Sequence, residues 1–272
     1  MKIFKGSRSR NCKVALFTKT YSGDVNRLKE LFYSIQKYNQ DNLPYYISAP
    51  FNDRSAIEQA IGTEGYTLLA DENIRVARKQ HSGWEHQMII KLLAYKEIPA
   101  DNFLILDSDA RFIKPFFEKD FIAYDNIPYS IVHEVALKGV DYNYNGYSKA
   151  VRAYRDLFGY KSSKIYDYGP NPHLWSRIVL EHFYENYINY HGLDIEEFCV
   201  SVKHQYGIHF RETLTYGEYL MAAKPIDIVP SGPLFKTYHW KEMVDFEKGS
   251  GLELEENIAK NYLGIIMQSK HT

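Results

Sequence analysis

The stretch Asn102-Phe103-Leu104-Ile105-Leu106-Asp107-Ser108-Asp109 reads as a buried strand that runs straight into two carboxylates. A short apolar run of this kind suits the inside of a sheet. Side chains one residue apart share a face of an extended chain, and in a tight turn they can converge. Asp107 and Asp109 can thus offer oxygens to one hard cation, Mg²⁺ or Mn²⁺, which keeps positions open for phosphate oxygens. The alternative is a solvated turn whose aspartates satisfy backbone amides. Placement after an apolar strand favours the cation, because ligands of α/β sheets bind in the crevice beyond the strands' carboxyl ends.

Upstream, Lys13 to Phe17 predicts another buried strand, followed by a polar turn from Thr18 to Asp24. Asp24 is placed to cap a helix on which Leu28, Leu31, Phe32 and Ile35 recur at helical spacing. Pro44 to Ala49 predicts a second strand, Arg54 to Ile61 a helix, and Tyr66 to Leu69 a third strand. Gly83 to Tyr95 predicts a helix with Trp84, Met88, Leu92 and Tyr95 on one face. This alternation implies an α/β fold with a mostly parallel, Rossmann-like central sheet and helices on both faces.

Beyond Pro128 the pattern becomes mixed α+β. A strand is expected at Tyr129 to Glu134, with helices at Asn145 to Phe158, Trp175 to Tyr190 and Gly217 to Ala223. Ile226 to Val229 predicts a strand, and Leu254 to Met267 a final helix. No repeat or linker interrupts the chain, so 1–272 reads as one domain with halves at about 12–127 and 128–272.

A net charge of −1 provides no field to gather nucleic acid or anionic membrane. Cys12 and Cys199 lack the spacing of a disulfide framework or a metal knuckle, which suits two thiols in a reducing compartment. The apolar run Val14 to Phe17 after the basic N-terminus is too short for a signal-peptide core or a membrane span. The expected location is the cytoplasm, with at most peripheral contact at the inner face of the membrane. The final helical stretch, with Ile258, Tyr262, Ile265 and Ile266, offers either such contact or ordinary packing. Twenty-four tyrosines could stack on sugar rings, although a bias toward Ile, Lys and Asn accounts for them equally simply.

Several segments together resemble the GT-A fold glycosyltransferases, and within them a bacterial family of nucleotide-sugar glycosyltransferases. They are Val14-Ala15-Leu16-Phe17-Thr18, the helix Ser82 to Leu92, and Asp107-Ser108-Asp109. Gly169-Pro170 with Trp175-Ser176, Glu212 with Tyr216-Gly217-Glu218-Tyr219, and Tyr238-His239-Trp240 follow in order. The resemblance implies a nucleotide-sugar-binding first half and an acceptor-binding second half. It implies metal-dependent transfer of a sugar from a nucleoside-diphosphate sugar to a glycan, lipid-linked glycan or other hydroxyl, in surface polysaccharide or glycoconjugate synthesis.

It also assigns roles. Thr18, Lys19 and Thr20 lie near the base or ribose. Asp109 binds the metal, Asp107 shares it or meets the ribose, and Ser108 sits between them on the cofactor side. His239 would complete the metal shell and tilts the choice toward manganese. Gln87 and Lys91, four apart on one helix face, would read a sugar hydroxyl and offer a cation to the diphosphate. Glu212, with Glu218 second, would act as general base if configuration inverts. Two other readings stand beside this one. A haloacid-dehalogenase-type phosphotransferase would use the first Asp as nucleophile. A catalytically silent, carbohydrate-binding relative would keep the fold without the converging groups.

Overall fold

The computed structural model describes residues 12–75, 82–134, 146–169, 172–239 and 241–268. The predicted first strand is β1, Cys12–Lys19, and it leads through a short 3₁₀ turn to α1, Val25–Tyr38. Then come β2, Tyr45–Ala49; α2, Arg54–Ile61; β3, Thr67–Ala70; and the single turn α3, Asp71–Ile74. Helix α4, Gly83–Leu93, begins with a capping box in which Ser82 and Glu85 exchange side-chain and backbone hydrogen bonds. β4, Ala100–Ile105, follows.

β3, β2, β1 and β4 lie side by side in parallel, and a fifth strand, introduced below, closes the sheet beyond β4. The β1 side chains alternate between two cores. Ala15 and Phe17 join the one under α4, and Val14 and Leu16 join the one under α1 and α2. A continuous apolar run, Val14 to Phe17, whose successive side chains point to opposite faces, is what lets both faces be buried.

After β4 come β5, Ala110–Phe112; β6, Ile122–Tyr124; β7, Ile127–Ile131; and β8, His133–Glu134. α5, Tyr147–Leu157, and β9, Tyr166–Asp167, precede β10, His173–Ser176. β10 pairs antiparallel with β4, so Trp175 lies in the central sheet and not on the predicted helix. That helix starts later, as α6, Arg177–Phe183, and continues as a π turn over Tyr184–Ile188. His-Leu-Trp-Ser alternates, and its two faces enter different cores: Trp175 the first, Leu174 the second. Two-sided burial explains why a helical reading also fitted this apolar segment.

α7, Ile195–Tyr206, was not anticipated, and α8, Glu212–Ala223, begins five residues before the predicted Gly217 start. β11, Val229–Ser231, pairs with β7. β12, Phe235–Tyr238; α9, Lys241–Lys248; and α10, Glu255–Ile258, lead to β13, Gly264–Met267. The predicted final helix is therefore a single turn and a strand, with β13 between β12 and β5. Ile258, Ile265 and Ile266 are all buried there, so they pack on the core and offer no membrane face. Among the described residues no helix is long and apolar enough to cross a membrane. Of the residues expected on one face of α4, Met88, Leu92 and Tyr95 are buried, whereas Trp84 is 47% exposed. Cys12 and Cys199 are both free thiols.

Candidate active site

Asp107 sits two residues past β4. The Leu106 N–H still donates to Phe17 O at 2.8 Å, and then Ala110 N–H closes a turn onto Asp107 O at 3.1 Å. Ser108 and Asp109 are thus the central residues of a turn into β5. Two other parts of the chain hold that turn. Ser108 Oγ donates to Asp24 Oδ2 at 3.3 Å, and Met267 N–H at the end of β13 donates to Asp109 O at 3.2 Å. Asp24 occupies the N-cap of α1 without the expected side-chain cap, because its carboxylate is engaged by Ser108 and by Arg27 at 3.0 Å.

Lys91, on the last turn of α4, reaches the same place. Its Nζ lies 2.7 Å from Asp107 Oδ1 and 3.2 Å from Glu212 Oε1, with the lysine side chain 5% exposed. Burial disfavours the ammonium, but the two carboxylates outweigh it and raise the pKa, so the lysine is charged. Glu212 is the first residue of α8 and is nearly buried, whereas the Asp107 side chain is 40% exposed. Lys91 therefore joins the carboxylate motif at the strand end to a carboxylate some hundred residues later. His173 of β10 belongs to the same electrostatic neighbourhood. Burial first, then Lys91, lowers its pKa, while Asp107 and Glu212 act the other way.

The other sequence candidates fall in different places. Gln87 is partly buried one turn before Lys91 on α4. Thr18 is fully buried, its hydroxyl accepting from Tyr45 at 3.0 Å. Lys19 is buried against Asp71 at 2.9 Å. Asp71 also accepts from Ser48 and lies 3.2 Å from His86, whose other ring nitrogen faces Arg75 at 2.8 Å. Arg75 in turn binds Glu196 of α7 at 2.7 Å. Of the first-turn residues, Thr20 alone keeps a buried hydroxyl with no partner among the described residues.

Glu218 is fully buried and bound by Arg155 at 2.9 Å. Burial raises its pKa, and Arg155 opposes the rise. Arg155 also donates to the Ser162 and Lys164 carbonyls at 2.8 and 2.6 Å, which makes this pair an internal anchor of α5. His239 is exposed beyond β12, and Trp240 and Pro170 lie outside the described residues.

Among the described residues no three of His, Cys, Asp and Glu form a metal-binding group. The donor set that remains, two partly exposed carboxylates on one turn, still fits a hard divalent cation completed by phosphate oxygens and water.

Sequence reading missed the Lys91–Glu212 link and the place of His173. A polar residue opening an apolar alternating tetrapeptide was the available signal for the second. Nothing in the sequence could signal the first, because ion pairs between distant segments have no local pattern.

The solved structures similar to this chain include three of glycosyltransferases. Mouse xyloside xylosyltransferase 1 in its apo form shares 10% identity at a TM-score of 0.51, over 95% of this chain and 99% of that one. The galactosyltransferase LgtC in complex with donor and acceptor sugar analogs shares 11% identity at 0.50, over 93% and 86%. An active-site variant of LgtC shares 12% at 0.54, with the same coverage of 93% and 86%. Likeness at this identity establishes a common fold, and that fold is GT-A. No curated protein matches the chain. Residues 13–248 match the family of unknown function DUF6492, and the chain belongs to that family.

Proposed function

We propose that this chain is a glycosyltransferase that moves a sugar from a nucleoside-diphosphate sugar to a hydroxyl of a glycan or lipid-linked glycan. The observation that carries the reading is the meeting of Asp107, Lys91 and Glu212 beyond the carboxyl end of the central sheet. That rim is where α/β sheets bind ligands. The names of the similar enzymes, a xylosyltransferase and a galactosyltransferase, support a sugar as the group moved.

Asp107 and Asp109 would hold Mn²⁺ or Mg²⁺, which when bound supplies positive charge to a diphosphate leaving group. The chain's own residues do the rest. Lys91 fixes the first motif carboxylate and Glu212 at once, so the nucleotide side and the acceptor side keep a set spacing. Glu212 has Oε1 committed to Lys91, which leaves Oε2 to take the acceptor's proton in an inverting transfer. In a retaining transfer the leaving phosphate takes it. Thr20, with its unpartnered hydroxyl, is the member of the Thr18-Lys19-Thr20 run left to meet the nucleoside, while Lys19 shapes the pocket through Asp71. Glu218 serves the fold. The setting is surface polysaccharide or glycoconjugate assembly on the cytoplasmic side.

Thermal-shift measurements with nucleoside diphosphates, with and without Mn²⁺, test donor binding. A ligand at a hundred times its Kd stabilises by about 2.7 kcal/mol. Asp109→Ala should abolish both nucleotide-sugar hydrolysis and transfer at unchanged Tm, and retained activity would remove the metal assignment. Glu212→Gln should lower kcat roughly 100-fold or more with little change in nucleotide affinity. A silent carbohydrate-binding relative would bind ligand in the wild type and turn nothing over.

A further inference from the structure

The central sheet brings one more side chain to the Lys91 cluster. His173 pairs with Ile105, two residues before Asp107, across the antiparallel β10–β4 ladder. His173 and Trp175 point to the same face of β10, and their rings are stacked at 5.8 Å and 15°. Trp175 stacks in turn on Tyr216 of α8 at 5.1 Å, and the Tyr216 hydroxyl accepts the Ser176 N–H at 2.8 Å. Trp175 and Tyr216 share their core with Met88, Ile89, Ile90, Leu92 and Leu93 of α4 and Leu214 of α8. This is the side of the sheet from which Lys91 and Glu212 approach Asp107.

The imidazole is only 5% exposed, yet its Nδ1 has no hydrogen-bond partner among the described residues. Buried polar groups are nearly always paired, so an unpaired one beside a cluster of charged side chains calls for a ligand. Lys91, Asp107, Glu212 and Asp167 are the charged groups that act on it. A neutral imidazole has one N–H and one lone pair. Nδ1 carries one or the other according to the tautomer, and a hydroxyl can meet either, donating to the lone pair or accepting the N–H.

Resting on the glycosyltransferase reading, we propose that His173 hydrogen-bonds a hydroxyl of the carbohydrate at this site and so fixes the sugar ring's orientation. The hydroxyl belongs either to the sugar being transferred or to the acceptor, and the aromatic stack holds the imidazole rigid for it.

The test uses the full chain and the variants His173→Phe, which keeps a stacking ring without hydrogen bonds, and His173→Gln, which restores an amide donor and acceptor. The probes are UDP, UDP-glucose, UDP-galactose and UDP-xylose, with simple alkyl glycosides as acceptors. The Phe variant should bind UDP as the wild type does. It should lose roughly tenfold, the worth of one neutral hydrogen bond, in either nucleotide-sugar affinity or acceptor KM. The first loss assigns the hydroxyl to the transferred sugar, the second to the acceptor, and Gln should recover part of either. A Phe variant unchanged in both overturns the proposal while leaving the glycosyltransferase reading intact. A wild type that neither binds nor turns over any nucleotide sugar overturns both. Should the Phe variant not fold, the ring ¹⁵N resonances of the wild type decide: the buried neutral imidazole should respond to a UDP-sugar or a glycoside but not to UDP. A resonance indifferent to both sugars overturns the assignment.

Discussion

Asp71 accepts from Ser48 and pairs with Lys19 at 2.9 Å in the interior beside the end of β1, and faces the partly exposed His86 at 3.2 Å. Burial alone would raise its pKa, but His86, Lys19 and Ser48 outweigh burial and lower it. A depressed carboxylate stabilises the fold above its unfolded pKa, near 3.8, and that contribution is lost as pH falls from there through the folded pKa. Asp71→Asn should leave Lys19 buried against a neutral amide and cost about 3 kcal/mol near pH 7, in the range for breaking a buried ion pair. The difference in stability between wild type and variant should shrink progressively as pH falls below about 3.8, vanishing only below the depressed folded pKa, where the native carboxyl is protonated as well. Urea titrations at pH 7 and pH 3.5 measure it. An undiminished difference at the lower pH would show that geometry, not charge, is what Asn disturbs.

Elements that announce themselves by periodicity were legible, and those defined by partners were not. The β1–α1–β2–α2–β3 run and β4 could be read because each carries its own pattern: apolar strands between polar turns, and Leu28, Leu31, Phe32 and Ile35 at helical spacing. β10 and β13 are four-residue strands whose identity comes from what they pair with, β4 for one and β5 with β12 for the other. The Asp-x-Asp turn was visible because apolar strand and carboxylates are contiguous. Lys91, Glu212 and His173 meet only after folding. β13 also supplies a test. A Cβ on Gly264 would lie 2.5 Å from the Arg111 carbonyl oxygen and 2.3 Å from the Phe235 ring. A ring can shift, but a paired backbone carbonyl in the neighbouring strand moves only with its ladder. Gly264→Ala should therefore destabilise by about 1–3 kcal/mol. Because Met267 N–H at the end of β13 holds the Asp109 carbonyl, turnover should fall as well. A variant with wild-type Tm and activity would show that β13 does not constrain the motif turn.

At the scale of the molecule, the halves 12–127 and 128–272 differ in pattern yet do not hold separate cores. One core joins Phe17, Ile90 and Ile105 to Val151, Trp175, Phe198 and Leu214, and the other joins Leu16 and Leu104 to Leu174, Phe235 and Ile266. The central sheet is also shared, because β10 from the second half covers the β4 edge, and in a separate three-stranded sheet β13 from the second half pairs with β5. Cutting the chain near residue 127 would leave β4 as an apolar edge strand, a template for aggregation, and would remove Glu212 from Lys91. Unfolding of the whole chain should accordingly be one cooperative step, with tryptophan fluorescence, which reports Trp175 in the shared core, and far-UV circular dichroism following the same denaturant curve. A fragment of residues 12–127 should be unfolded or aggregated and should bind no nucleotide. Two separated transitions, or a monomeric 12–127 fragment that binds nucleotide, would mean that the first half folds on its own. The second half would then be an acceptor module docked onto it, and the Lys91–Glu212 bridge would be an interface contact between the two instead of an internal part of one site.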